Sequence, residues 1–184
     1  MKAFELHDLA SAPDASRGLL EEVEQRFGFV PNIYRVMAAS PALLQSYVGA
    51  SGAFAASSLT ATEQQIVLLT VSAANGCAYC VAAHSTAADM GGLPAAITDA
   101  IRGGEPLPDA KLEALRHFVE AVVNHRGWAS DELEAFLEAG YSPRAVLDVI
   151  TGVGMKTLSN YMNHLAGTPL DEAFEKRRWQ KESV

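Results

Sequence analysis

The feature that most constrains this chain's fold is the run Gln64-Gln65-Ile66-Val67-Leu68-Leu69-Thr70-Val71-Ser72-Ala73-Ala74. Beyond Gln65 it carries no charge and is apolar on nearly every side. A helix of that kind has no face to give to water, so other helices must cover it on several sides. Its start is marked by Thr60-Ala61-Thr62-Glu63, a capping box with Thr60 as N-cap and Glu63 at N3. Asn75-Gly76 stops it by turn chemistry, and a second helix follows to about Met90, where Gly91-Gly92 ends it.

Helical periodicity continues through the rest of the chain. Residues 16–28 place Leu19, Leu20, Val23 and Phe27 on one side, and Gly28-Phe29-Val30-Pro31-Asn32 breaks that helix. Pro31 and Pro41 each suit a first helical turn. They open helices through Ile33 to Met37 and through Leu43 to Val48, the second capped by Ser40. Pro94 to Ile101 reads as a short helix, and residues 103–108 as a linker. Asp109 caps a helix with Leu112, Leu115, Phe118, Val119 and Val122 inward, and Ser130 caps one through Leu133, Phe136 and Leu137. Ser142-Pro143 opens a long helix through Val146, Val149, Ile150, Val153, Leu158, Tyr161 and Leu165. Gly152 and Gly154 within it signal close helix approach, since no strand precedes them as in a phosphate loop. No segment alternates as a strand does.

The fold class is therefore all-α. Residues 1–184 are expected to form one domain, with a Cys-containing core at 59–92, a second helical half at about 109–167 and a charged tail at 171–184 that packs loosely or reaches a neighbouring subunit. A net charge of -8 argues against a nucleic-acid surface, which needs a basic footprint. There is no polybasic tract, no signal peptide and no apolar run of bilayer length, so no membrane association is expected and the location is expected to be cytoplasmic.

The chemistry concentrates in Asn75-Gly76-Cys77-Ala78-Tyr79-Cys80-Val81-Ala82-Ala83-His84, which holds the only two cysteines. On a helix Cys77, Cys80 and His84 lie within about 60° of arc. A Cys pair in a cytosolic chain is more often catalytic or metal-binding than part of a disulfide framework. Cys77, just after a glycine break, meets unpaired N–H groups and the positive end of the helix dipole, which favour thiolate. The pair has disulfide reach, and His84 can accept or deliver the proton that thiol chemistry moves. If Asn75-Gly76 is a tight turn between antiparallel helices, positions 65 and 84 are equidistant from it. Gln65 is then expected beside His84 as its hydrogen-bond partner, with Glu63 left as a cap. His164 and Asn160 are expected to pack in the long helix, and His7, His117 and His125 to lie at the surface.

Taken together these residues resemble the AhpD-like and carboxymuconolactone decarboxylase superfamily, in its alkylhydroperoxidase, peroxidase-related branch. The core of the resemblance is Leu59 to Met90. Gly28-Phe29-Val30-Pro31-Asn32-Ile33-Tyr34, Ser40-Pro41-Ala42-Leu43-Leu44 and Asn160-Tyr161-Met162-Asn163-His164-Leu165 extend it over most of the chain. The resemblance implies an all-α bundle assembling as a homotrimer or homohexamer. It implies Cys80 as the peroxidatic cysteine, Cys77 as the resolving one and His84 in a proton relay. Cys80 thiolate would attack a hydroperoxide, and Cys77 would condense with the sulfenic acid to a disulfide. A dithiol or lipoyl-type protein would then reduce that disulfide.

Two positions depart from the family pattern. The relay glutamate falls at Gln65, and an amide orients a histidine but takes no proton at neutral pH. A histidine found between the cysteines in some relatives is Tyr79 here, which leaves Tyr79 or water to support Cys80. Decarboxylation is not implied, because that branch does not rely on a CxxC. The expected function is thus a cysteine-based alkyl hydroperoxide reductase with no cofactor and no metal, acting on a small-molecule hydroperoxide through Cys80, Cys77, His84 and Gln65. The alternative is a redox-sensing or metal-binding oligomer that uses the same cluster without turnover. Zinc usually takes four ligands, and there is no second CxxC or His-x3-His.

Overall fold

The computed structural model describes residues 4–181. Nine α-helices follow in order: α1 Asp14–Phe27, α2 Asn32–Met37, α3 Pro41–Ala55, α4 Ala61–Ala74, α5 Ala78–Met90, α6 Ala95–Gly103, α7 Ala110–Asn124, α8 Ser130–Glu138 and α9 Pro143–Ala166. A 3-10 turn, Glu172–Arg177, comes after them. The described residues contain no strand, as an all-α reading requires.

Helix α4 is the centre. Ile66, Val67, Leu68, Leu69 and Val71 are all buried, and α4 packs against α5, α6, α7 and α9. Its capping box forms as the sequence predicts: Glu63 N donates to Thr60 Oγ1, and Thr60 N donates to Glu63 Oε2 at 2.8 Å. The Asn-Gly turn also forms. Gly76 has φ +67°, a left-handed conformation that a side chain resists, and Cys77 N donates to Ser72 O across the turn. Ser40, Asp109 and Ser142 cap α3, α7 and α9. Ser130 does not cap α8. It is the first helical residue, and Ala129 occupies the cap position without a side-chain hydrogen bond.

The long helix α9 buries only part of its apolar set: Val149 is buried, and Val146, Val153 and Leu158 pack against the core. Leu147, Ile150, Tyr161 and Leu165 are exposed. The buried residues are Ala145, Val149, Gly152, Met155, Lys156, Ser159, Asn160 and Asn163, half of them polar. Asn160 accepts a hydrogen bond from Asn75 Nδ2 at 3.0 Å and so ties α9 to the α4–α5 turn. His164 is exposed, stacked on Tyr161.

The charged tail is not loose as far as residue 181. Arg177 pairs with Asp89 and Asp99 and donates to Thr98. Trp179 Nε1 donates to Arg102 O, and Lys181 Nζ to Ala74 O. The tail follows its own chain because Asp89, Asp99 and the free carbonyls at helix ends supply partners for its cations. Residues 182–184 lie outside the described residues.

Close approach at α9 rests on one of the two glycines. A Cβ at Gly152 would sit 2.8 Å from Phe54 Cε2 and 2.8 Å from Val67 Cγ1, whereas at Gly154 nothing lies within 4 Å. Overpacking a core typically costs about 1–3 kcal/mol. Gly152→Ala is therefore expected to destabilise by about that much. Gly154→Ala should stabilise by up to about 1 kcal/mol, the helix propensity difference. Urea denaturation of both variants checks this, and equal effects at the two positions would refute the packing account.

Candidate active site

Cys77 occupies the cap position of α5, and Cys80 lies in its first turn. Both are free thiols with 1% exposure. The sequence stripe is thereby built, but the residues facing it come from α9. Asn163 Nδ2 reaches Cys80 Sγ at 3.2 Å and Cys77 Sγ at 3.8 Å. Lys156 Nζ lies 2.9 Å from His84 Nε2. Two turns of α9 thus present an ammonium and the Asn163 amide to the cysteine helix.

The two thiols diverge in acidity. Burial pushes the Cys80 thiol up. The hydrogen bond from Cys77, the Lys156 charge and the amides of Asn163 and Asn160 outweigh it and bring Cys80 below the usual thiol range. Cys77 is pushed up, first by its hydrogen bond to Cys80, then by burial and by the Cys80 charge. The pair therefore rests as a Cys80 thiolate accepting from a Cys77 thiol. The helix start alone would favour Cys77 as the thiolate, whereas the assignment implied by the resemblance has Cys80. Backbone position acts on both sulfurs within one turn, and the lysine and amides from α9 decide between them.

His84 is held well below its ordinary value, by burial and then by the charge of Lys156. It is a neutral imidazole whose Nε2 accepts from the lysine. The hydrogen bond expected between Gln65 and His84 is not formed. Lys156 takes the ring nitrogen instead, and Gln65 Oε1 is buried without a partner. Tyr79 does not bond to either sulfur. Its hydroxyl donates to Asp171 Oδ2 at 2.5 Å and accepts from Ile33 N at 3.3 Å. Burial and the Asp171 carboxylate push that phenol up, so it stays protonated.

Cys80, His84 and Lys156 line a cavity of about 430 Å³. Its walls are aromatic: Phe27 and Phe29 from α1 and the segment after it, Tyr34 from α2, Tyr47 from α3, Tyr79 from α5 and Phe174 from the 3-10 turn. Phe174 packs edge-on against Tyr79, with ring centroids 6.0 Å apart. Among the described residues Lys156 is the one charged side chain in the lining. The arrangement can hold an apolar molecule against an activated sulfur, with a second sulfur in hydrogen-bond contact behind it. Among the described residues no three His, Cys, Asp or Glu side chains converge as a metal donor set.

Comparison with known proteins agrees with this geometry. Residues 41–122 match the carboxymuconolactone decarboxylase family. An uncharacterised peroxidase-related protein of Ralstonia eutropha JMP134, described as an alkylhydroperoxidase AhpD core, superposes with a TM-score of 0.81 at 25% identity, over 93% of each chain. The chain has the all-α AhpD-like fold, and its residues 41–122 carry the family match. A peroxidase-related protein of Silicibacter sp. TM1040 shares the fold with a TM-score of 0.79 at 18% identity, covering 95% of this chain and 93% of its own. The debrominase Bmp8, solved with 2,3,4-tribromopyrrole, does so with a TM-score of 0.80 at 16% identity, covering 96% of this chain and 95% of its own. No curated protein matches the sequence.

In this AhpD-like chain the sequence reading missed Lys156, and it treated Asn163 only as part of a resemblance. A signal for both exists. Positions 149, 152, 156, 160 and 163 fall on one helical face, and a lysine in phase with buried positions is an anomaly that asks for a partner.

Because the Cys80 thiol sits low, its alkylation rate should be flat above the midpoint and fall about tenfold per pH unit below it. That midpoint is expected well under the roughly 8.5 of a free cysteine. Asn163→Leu removes a donor to the sulfur. A hydrogen bond to a charged group is worth about 1.5–3 kcal/mol, so the midpoint should rise by about one pH unit. Iodoacetamide kinetics against pH measure both, and a wild-type midpoint at or above that of free cysteine would disprove the assignment.

Proposed function

We propose that this protein is a cysteine-based reductase of organic hydroperoxides. The observation that carries the reading is the asymmetric thiol pair, with Cys80 activated and Cys77 protonated, at the wall of an aromatic cavity. Cys80 thiolate attacks the terminal oxygen of a hydroperoxide and becomes a sulfenic acid. Cys77 then condenses with it to a disulfide, releasing water. A dithiol or lipoyl-type protein returns the pair to thiols by exchange. Peroxidase-related names among the structural relatives support the same chemistry. In this reading Gln65 and Tyr79 contribute to packing around the site, and His84 contributes through its hydrogen bond with Lys156.

The exposed residues Leu147, Ile150, Tyr161 and Leu165 fall within about 60° of arc on α9. That stripe supports assembly as a homotrimer or homohexamer through this helix.

A second reading has support from one structural likeness. Bmp8 is a debrominase, and an aromatic-walled cavity also suits a halogenated ring. There the dithiol would supply two electrons to the carbon–halogen bond, giving disulfide, the dehalogenated ring and halide.

The reading predicts that wild-type protein with a dithiol reductant consumes cumene hydroperoxide catalytically and that Cys80→Ser does not. Cys77→Ser should stop after one equivalent, with a sulfenic acid trapped by dimedone at Cys80. Equal turnover by wild type and Cys80→Ser would refute it. Halide release from a brominated pyrrole, with no hydroperoxide consumption, would favour the second reading.

A further inference from the structure

Lys156 is 1% exposed, and among the described residues its one side-chain hydrogen-bond partner is His84. Among the described residues no carboxylate pairs with it, and none lines the cavity it shares with Cys80. A buried ammonium without a compensating anion is costly. The anion that this site supplies is the Cys80 thiolate, whose charge Lys156 favours. His84 Nε2 accepts from the ammonium, so that nitrogen carries no proton of its own.

These positions separate two jobs that one histidine was expected to do. We propose that Lys156 is the proton donor of the thiol chemistry, delivering its proton to the oxygen that leaves when Cys80 cleaves a peroxide bond, and that His84 is the residue that positions it. The inference rests on the hydroperoxide reading above. In the step, sulfur forms a bond to the terminal hydroxyl oxygen and gives up two electrons. The O–O bond breaks, and the alkoxide departs with the bonding pair. Lys156 protonates it to the alcohol and is left as a neutral amine. Cys77, still a thiol, attacks the sulfenic sulfur, and its proton leaves with the hydroxyl as water. Lys156 then recovers a proton from solvent.

A donor of this kind matters only when the leaving oxygen is basic. Cumene hydroperoxide releases an alkoxide, which needs the proton. Perbenzoic acid releases benzoate, which does not. Single-turnover oxidation of Cys80 by each oxidant, in wild type, Lys156→Met and Lys156→Arg, reads the difference. General acid catalysis typically contributes 10²–10⁴-fold. Lys156→Met is expected to lose at least about a hundredfold more rate with cumene hydroperoxide than with perbenzoic acid. Lys156→Arg keeps the charge but cannot release its proton. It should hold iodoacetamide reactivity near wild type and show the same selective loss.

His84→Gln and His84→Leu guard against a folding failure at position 156. An amide oxygen can still accept from the ammonium, so His84→Gln should keep the cumene hydroperoxide rate that His84→Leu loses. Equal slowing of both oxidants in Lys156→Met would reduce Lys156 to a counter-charge and overturn the proposal. So would full cumene hydroperoxide activity in Lys156→Arg. Wild type that alkylates at Cys80 but reacts with neither oxidant would instead overturn the hydroperoxide reading, and this inference with it.

Discussion

One buried charge organises this site. Lys156 enters the protein interior from the middle turns of α9 with no carboxylate to meet it. Low-dielectric surroundings magnify whatever field it makes. The imidazole of His84 is kept neutral against it, and the sulfur of Cys80 is drawn toward its ionised form. The amides of Asn160 and Asn163 add donors on the same face. Cys77 is left with the proton because two thiolates side by side would repel. Burial, the hydrogen bond between the two sulfurs and this one cation together set the protonation states in the cluster.

Most local rules were legible in the sequence because the determining residues sat close together, the Ser130 cap being the exception. The Thr60–Glu63 box, the Asn75-Gly76 turn and the caps at Ser40, Asp109 and Ser142 all depend on contacts within a few residues, and the structure has them. Partner choice was not legible. Equal spacing from the turn nominated Gln65 for His84, but a helical hairpin fixes only which side chains pass near each other. It does not say which competitor from another helix arrives first. Lys156, 72 positions further on, does so.

The misreading of α9 has a related cause. Its apolar residues suggested an inward stripe through Ile150, Tyr161 and Leu165, and these are exposed. A helix that must carry functional polar groups inward gives up the usual link between apolarity and burial. The inward face of α9 holds Lys156, Asn160 and Asn163, each with a partner on or beside the cysteine helix: Lys156 bonds His84, Asn160 Oδ1 accepts from Asn75 and Asn163 Nδ2 reaches Cys80. The tail was misjudged for the opposite reason. Its charges looked solvated, yet Arg177 finds two aspartates on α5 and α6.

The path of that tail divides labour within the molecule. Asp171 takes hydrogen bonds from the Tyr79 hydroxyl and from Asn32 N, so it fastens the last stretch of chain to the cavity rim. Phe174, three residues later, closes part of the wall. The reactive sulfur and its electrostatics come from α5 and α9, but part of the cavity's shape comes from a segment that contributes nothing to thiol acidity. Sequence drift in the tail can therefore reshape what enters without disturbing what happens to it. Changes at residues 171–174 would alter the cavity's rim while leaving the two sulfurs and Lys156 in place.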